Sequence, residues 1–257
     1  MVKRDELINF INDCFGREFR ANAKRKDNYV NGVQIRGRSE VNTVALGVSA
    51  SLDFLKLCRK SGADLVIIHH GIGLDGLDHH ISPLLKNRLR ELIDGDMTLL
   101  AFHYMLDAHP VFGNNAQIIE KAGARIVAPF HDDWGFVGEL PSPLTLDSVI
   151  ATLSRVFGSE PTLFRNGPKR VRRIGTVSGG GAPRMSNVAE IIDSGVDLYV
   201  TGEAKEEIPA ISKEININYA AFGHYNTEKF GVTALGDLIK KQYPALDVRF
   251  IDVPCAL

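Results

Sequence analysis

The chain has 257 residues, 44% of them hydrophobic, 24% charged and 8% aromatic, so it can bury a sizeable core and is not a disordered or low-complexity chain. Its 30 Lys and Arg against 31 Asp and Glu leave a formal net charge of -1, which removes the bulk electrostatic case for a nucleic-acid or membrane-surface protein. Cys14, Cys58 and Cys255 are odd in number and widely spaced, and none sits in a CxxC, which fits a reducing compartment better than a disulfide framework; with an N-terminus that reads as neither signal peptide nor spanning helix, this points to the cytoplasm.

Taken in order, Leu7, Ile8, Ile11 and Phe15 recur at helical spacing behind Asp5 and Glu6, and Gly16 is the stop. The basic run from Arg17 to Lys26 reads as solvated surface. Residues 31–35 form a short strand after a turn, and 44–48 a second strand. The hydroxyls of Ser49 and Ser51 then precede a helix carrying Phe54, Leu55, Leu57 and Cys58, which Gly62 ends. The next strand is Leu65-Val66-Ile67-Ile68, and it runs directly into His69-His70-Gly71. Short loops on either side make this a β-α-β unit with parallel strands. A helix after Pro83 and a strand over 98–103 repeat the pattern, and this strand also ends on a histidine, His103. Asp107 and Gly113-Asn114-Asn115 follow, then a helix with Ile118 and Ile119. His79 and His80 lie in a Gly- and Asp-rich stretch that reads as an exposed loop.

Beyond Ala124 the texture changes, with Pro129, Pro141, Pro143 and Trp134 breaking up the pattern. A new α/β series begins with a helix over 146–157. It continues through a strand at 174–177, a helix to Ser194, a strand at 196–200, a helix to Glu214 and a strand at 219–222. The final helix opens at His224 and carries Glu228, and a closing strand spans 248–253. The reading is an α/β protein with one domain over residues 1–125 and 224–257 and a second over 126–223.

His69, His70, Asp107, His224 and Glu228, with His103 beside them, form a candidate metal-ligand set. Parallel strands place ligands at their carboxyl edge, and His224 and Glu228, four apart, share a helix face. Imidazole and carboxylate suit Zn, Fe, Mn, Co or Ni, and five or six such groups exceed one tetrahedral site, so two ions are expected. Successive strand residues point to opposite faces, so His69 and His70 serve one ion each more easily than one ion together. Glu203 reads equally as a group that orients a histidine or moves a proton and as a helix-start carboxylate. The run Ser178 to Gly181 reads as a tight strand-to-helix turn rather than a phosphate cradle, because neither GxGxxG nor a P-loop is present. His109 and His131 are left out of the ligand set.

Six separated motifs stand in the order of a known family: Asn31-Gly32-Val33-Gln34, Gly47-Val48-Ser49-Ala50-Ser51, Gly62-Ala63-Asp64 to His69-His70-Gly71, Leu106-Asp107-Ala108-His109-Pro110 with Gly113-Asn114-Asn115, Thr201-Gly202-Glu203, and Gly223-His224 to Thr227-Glu228. Over almost its whole length the chain resembles the Nif-three-like family of dinuclear-metal ring hexamers, often labelled GTP cyclohydrolase I type 2. The resemblance implies two interleaved α/β domains with mixed or parallel sheets, in the compact form without the long inserted domain. It also implies a toroidal homohexamer, a trimer of dimers, and two divalent metal ions (Fe, Zn or Mn) per subunit on His69, His70, Asp107, His224 and Glu228, with one carboxylate bridging. His103 matches a retained neighbour of the site. Gly71-Ile72-Gly73-Leu74 lacks the bulky aromatic side chains that many relatives carry there, so substrate preference does not transfer.

The first functional reading is a metal-dependent hydrolase acting on a small molecule, with the family label suggesting a purine nucleotide and opening of its imidazole ring. The second is a metal-handling or cofactor-assembly protein without turnover. The third is a regulatory module that binds nucleic acid through Lys24 to Lys26 and Lys169 to Arg173, which the near-neutral charge disfavours.

Overall fold

A computed structural model of the chain describes residues 1–73 and 81–255; His79 and His80 lie outside the described residues. In order, the elements begin β1 (Val2–Lys3), α1 (Arg4–Phe15), α2 (Arg17–Lys26), β2 (Gly32–Ile35), β3 (Glu40–Val41), β4 (Thr43–Ser49), α3 (Leu52–Lys60) and β5 (Leu65–His70). They continue with α4 (Pro83–Asp94), β6 (Thr98–Ala101), α5 (Tyr104–Ala108), α6 (Asn114–Lys121), β7 (Arg125–Phe130), β8 (Gly135–Thr145), α7 (Leu146–Phe157), β9 (Thr162–Arg165) and β10 (Arg170–Val177). The last are α8 (Val188–Ser194), β11 (Leu198–Thr201), α9 (Ile208–Glu214), β12 (Asn218–Ala221), α10 (His224–Gln242) and β13 (Asp247–Phe250). Among the described residues no helix is long and apolar enough to cross a membrane.

The chain divides into two compact units, one made of Met1–Leu106 and Gly231–Val253, the other of Asp107–Phe230 and the chain from Pro254. The first unit carries a five-stranded sheet in the order β13-β4-β5-β6-β2, plus the small pair β1-β3. Its β13, β4, β5 and β6 run parallel, as the β-α-β reading requires, while β2 closes the edge antiparallel to β6. One face of this sheet is covered by α3 and α4, whose Phe54, Leu55, Cys58, Leu85 and Leu92 pack with Val66, Ile68 and Leu99. The Ser51 hydroxyl caps α3 by accepting from the Phe54 amide. From α10, Val232, Leu235 and Ile239 are fully buried, and Gly236 allows the close approach to β4, since a Cβ there would overlap the Leu46 side chain. The α1 stripe is buried as its spacing predicts. The basic run after it proves to be helical, in α2; only Ala23 of that helix is buried, so no apolar stripe announced it.

The second unit carries a six-stranded sheet in the order β7-β8-β10-β11-β12-β9. The parallel trio β10-β11-β12 forms its centre, and β8 and β9 flank it antiparallel. Around α7, Leu146, Val149, Leu153 and Phe157 pack on Val171, Ile174, Leu198 and Val200, while Ile191 and Ile208 belong to a separate cluster with Val177, Tyr199 and Tyr219. Where the prolines broke the sequence pattern, the structure has the antiparallel pair β7-β8. The two facts are compatible because Pro129 lies on the edge strand β7, and Pro141 and Pro143 fall where the β8-β10 register shifts, so none removes a central ladder bond.

Asp64, at the turn into β5, ties the start of this core strand to its neighbour. Its carboxylate accepts from the Asn42 and Thr43 amides at 2.8 and 3.1 Å and from Arg38 at 2.9 Å. Asp64→Ala leaves those amides without their acceptor and is expected to cost about 2–3 kcal/mol in unfolding free energy, read from urea transitions. A loss below about 0.5 kcal/mol would mean that the three bonds are exchanged for water without penalty.

Candidate metal centre

In the first unit, β5 and β6 are parallel neighbours whose ladder ends at Ile68 and Ala101, so His69 and His70 extend past the last β6 pair. Free of that neighbour, the two imidazoles turn toward each other instead of pointing apart: their centroids are 4.5 Å apart, and His103 lies 5.0 Å from His69 and 5.5 Å from His70. The ligand atoms of His69, His70 and His103 all lie within 4.8 Å of one another, so this group can hold a metal ion. It also brings His103, which the sequence set beside the site, level with the histidine pair.

Each of these rings is held from behind at Nδ1. For buried His69 the partner is the Phe102 carbonyl at 3.0 Å, for His103 the Asp27 carboxylate at 3.0 Å, and for His70 the Ser49 hydroxyl at 3.0 Å. Ser49 and His70 are register partners across β4 and β5, which explains their contact. A carbonyl and a carboxylate can only accept, so His69 and His103 carry the proton on Nδ1, and the lone pair of the neutral ring sits on Nε2. Asp27 is itself secured, accepting from the Tyr29 and Tyr104 amides and from Asn31. Burial pushes its pKa up, but His103 and these donors outweigh burial and lower it from 3.8 to about 2.

In the second unit, the carboxyl ends of the parallel trio supply Ser178-Gly179 after β10, Gly202-Glu203 after β11 and His224 after β12. His224 lies between two carboxylates: Glu203 Oε1 is 2.6 Å from its Nδ1, and Glu228 Oε1 is 3.0 Å from its Nε2, one helical turn on. Burial lowers its pKa, but Glu228 and then Glu203 raise it more, to about 9 from 6.5, so this spot favours a cation. Glu203 therefore orients a histidine; the alternative reading as a helix-start carboxylate does not hold, because α9 begins only at Ile208.

Buried Glu228 also places a ligand oxygen within 4.8 Å of one from Asp107. Asp107 Oδ1 accepts from the Ser178 hydroxyl at 2.7 Å and from Asn114 at 3.0 Å, and Asn115 bonds both the Ser178 amide and hydroxyl. Asp107, His224 and Glu228 each belong to a group of His, Asp and Glu side chains that can hold a metal ion. The glycine run is a turn seated on this set. Gly179 has φ +59, and a Cβ there would overlap Glu228 Oε1, so only glycine fits.

Two other histidines are occupied elsewhere. His109 Nδ1 accepts from the Val111 and Phe112 amides, and His131 Nδ1 lies 3.0 Å from the Tyr199 hydroxyl. Cys58 is buried with its thiol pushed up to about 12 by burial, which excludes it as a nucleophile near neutral pH. Sequence reasoning missed Asp27, which sits in a turn without periodicity, and assigned no role to Ser178 and Asn114 as the groups that hold Asp107.

A two-unit α/β protein whose parallel strand ends present histidines and carboxylates able to hold a metal ion is the class that fold and site define. The chain belongs to the Duf34/NIF3 (NGG1p interacting factor 3) family, whose model matches residues 2–255. It is 34% identical to a Pyrococcus horikoshii protein named GTP cyclohydrolase 1 type 2 homolog, with 100% of both chains covered. The Escherichia coli K12 protein of the same name is 32% identical over 98% of this chain and 99% of its own. Among solved structures, protein ybgI, described there as of unknown function, matches with a TM-score of 0.88 at 32% identity over 100% of both chains. A Thermus thermophilus protein matches at 0.86 and 29%, also over 100% of both.

The depressed Asp27 pKa fixes a pH window. A carboxyl whose folded value lies at about 2 against 3.8 adds stability above about pH 4, and this is lost as pH falls through about 2. The gap in unfolding free energy between the wild-type chain and Asp27→Asn should therefore narrow by about 2 kcal/mol from pH 6 to pH 2. Parallel pH profiles for the two would show that Asp27 gains nothing from His103.

Proposed function

We propose that this chain is a dinuclear-metal-dependent hydrolase of small molecules. His69, His70, Asp107, His224 and Glu228 would hold two divalent ions of the Fe, Zn or Mn kind. The observation that carries the reading is the anchoring of the imidazoles: His69 is held at Nδ1 by the Phe102 carbonyl and His224 by Glu203, the arrangement that fixes a ligand histidine for coordination through Nε2. The acid side fits as well. Asp107 has Oδ1 engaged by Ser178 and Asn114, and Glu228 stands between Asp107 and His224 as a bridging carboxylate would.

When bound, such a pair of ions supplies Lewis acidity toward an electrophilic carbon or phosphorus and lowers the pKa of water. The residues do the rest. Ser178, Asn114 and Asn115 hold Asp107 in a buried, water-poor setting, and Glu203 keeps the Nδ1 proton of His224 in place. The name carried by the relatives makes a purine nucleotide the first substrate to try, with hydrolytic opening of its imidazole ring as the reaction.

Protein prepared anaerobically and reconstituted with Fe, Mn or Zn is expected to retain about two ions per chain and to turn over GTP, while His69→Ala and His224→Ala each retain about one or fewer. Wild-type protein that retains no ion after reconstitution overturns the reading. A filled centre without turnover of any nucleotide overturns the hydrolase assignment and favours metal handling. We further propose, from the family resemblance, a ring-shaped homohexamer in the cytoplasm; light scattering should give six times the chain mass, and a monomer would refute the ring.

A further inference from the structure

Of the Phe, Trp and Tyr side chains among the described residues, Tyr29 alone is left largely exposed, at 58%. An aromatic ring is large apolar cargo, and a fold that buries or half-buries the others gains nothing for its core by leaving this one in water. Its position is also fixed. The Tyr29 amide donates to Asp27 Oδ1 at 2.9 Å, and Asn31 Nδ2 donates to the Tyr29 carbonyl at 3.2 Å and to Asp27 Oδ2 at 2.9 Å. The same carboxylate holds His103, and the Tyr29 ring lies edge-on to the His103 ring, 4.7 Å between centroids at 66°. His103 in turn touches His69 and His70. Tyr29 is thus the exposed rim of the three-imidazole cluster, anchored by the acid that anchors the cluster itself.

After His70 the chain continues with Gly71, buried Ile72 and Gly73, and residues 74–80 contain no Phe, Trp or Tyr. A largely exposed aromatic ring held in place beside a histidine cluster suits a flat heteroaromatic ring, because stacking needs only a held ring and access.

We propose that Tyr29 is the stacking surface for a planar heteroaromatic ring, the base of a purine nucleotide, whose reacting part faces the histidine cluster. The proposal rests on the metal-dependent reading above, and it assigns substrate recognition to a residue outside the ligand set. The interaction is with the ring face and not the hydroxyl, so phenylalanine should replace tyrosine and alanine should not.

The test compares two probes on the metal-reconstituted full-length protein by equilibrium dialysis: GTP, which carries the ring, and inorganic tripolyphosphate, which does not. For Tyr29→Ala the GTP dissociation constant should rise between about fivefold and a hundredfold while that for tripolyphosphate stays within twofold, and Tyr29→Phe should match wild type for both. Unchanged tripolyphosphate binding doubles as the control that the variant is folded and loaded. Equal weakening for both probes, no weakening for either, or failure of Tyr29→Phe to restore GTP binding overturns the stacking role. Wild-type protein that takes up metal but binds GTP no better than tripolyphosphate overturns it too, and leaves the metal reading standing. Protein that takes up no metal fails the metal reading instead, and the GTP comparison between wild type and Tyr29→Ala is then made on the metal-free chain, where equal binding overturns the proposal.

Discussion

The hydrogen bond at the back of each imidazole is the constraint on which the candidate centre depends. A neutral histidine has one donor nitrogen and one lone pair, and unless something fixes which is which, a ring near a cation spends part of its time presenting a proton. Here the Phe102 carbonyl, Asp27 and Glu203 are acceptors that cannot donate, and each lies within 3.0 Å of an Nδ1. They commit the proton to one side of the ring and aim the other nitrogen forward. Their placement follows from the sheets. The Phe102 carbonyl is available because β6 has ended by that residue, and Glu203 is available because β11 runs parallel to β12 and ends level with it.

Where the ladders stop matters as much as what the strands contain. Four consecutive branched aliphatics make β5 a core strand, and inside it successive side chains must alternate between faces. That rule predicts divergent imidazoles at 69 and 70. It fails because the rule belongs to a strand held on both sides, and the β6 ladder ends one residue before His69. The functional residues thus sit where the regular structure has just lost its grip on backbone direction, while the aliphatics before them keep the edge rigid.

The fold class, the parallel run through β4, β5 and β6, and helices such as α1 and α10 were legible because each carries an apolar period with a recognisable stop. Two kinds of feature were not. β7 and β8 were hidden by prolines that are harmless at an edge or a register shift, a distinction that needs the neighbouring strand. The partners of the candidate ligands were hidden by distance: Asp27 and His103 are 76 positions apart, and Ser178 and Asp107 are 71 apart. Residue types with metal-binding chemistry announce themselves in a sequence, whereas the serine, the asparagines and the aspartate that aim them look like any polar surface until the sheets bring them together.

The candidate donors of the two units differ in charge. In the first unit they are the imidazoles of His69, His70 and His103, and the acid behind them, Asp27, stays ionised with its charge spread over several hydrogen-bond donors. The second contributes Asp107 and Glu228, with Glu203 hydrogen-bonded to His224. Burial of Asp107 and Glu228 keeps solvent from screening their charge, so a cation is the natural counterpart of that pair. Within each unit the donors are thus chemically distinct, imidazoles at the strand ends of the first and buried carboxylates beside a glycine turn in the second, and each set is aimed by hydrogen bonds from its own unit.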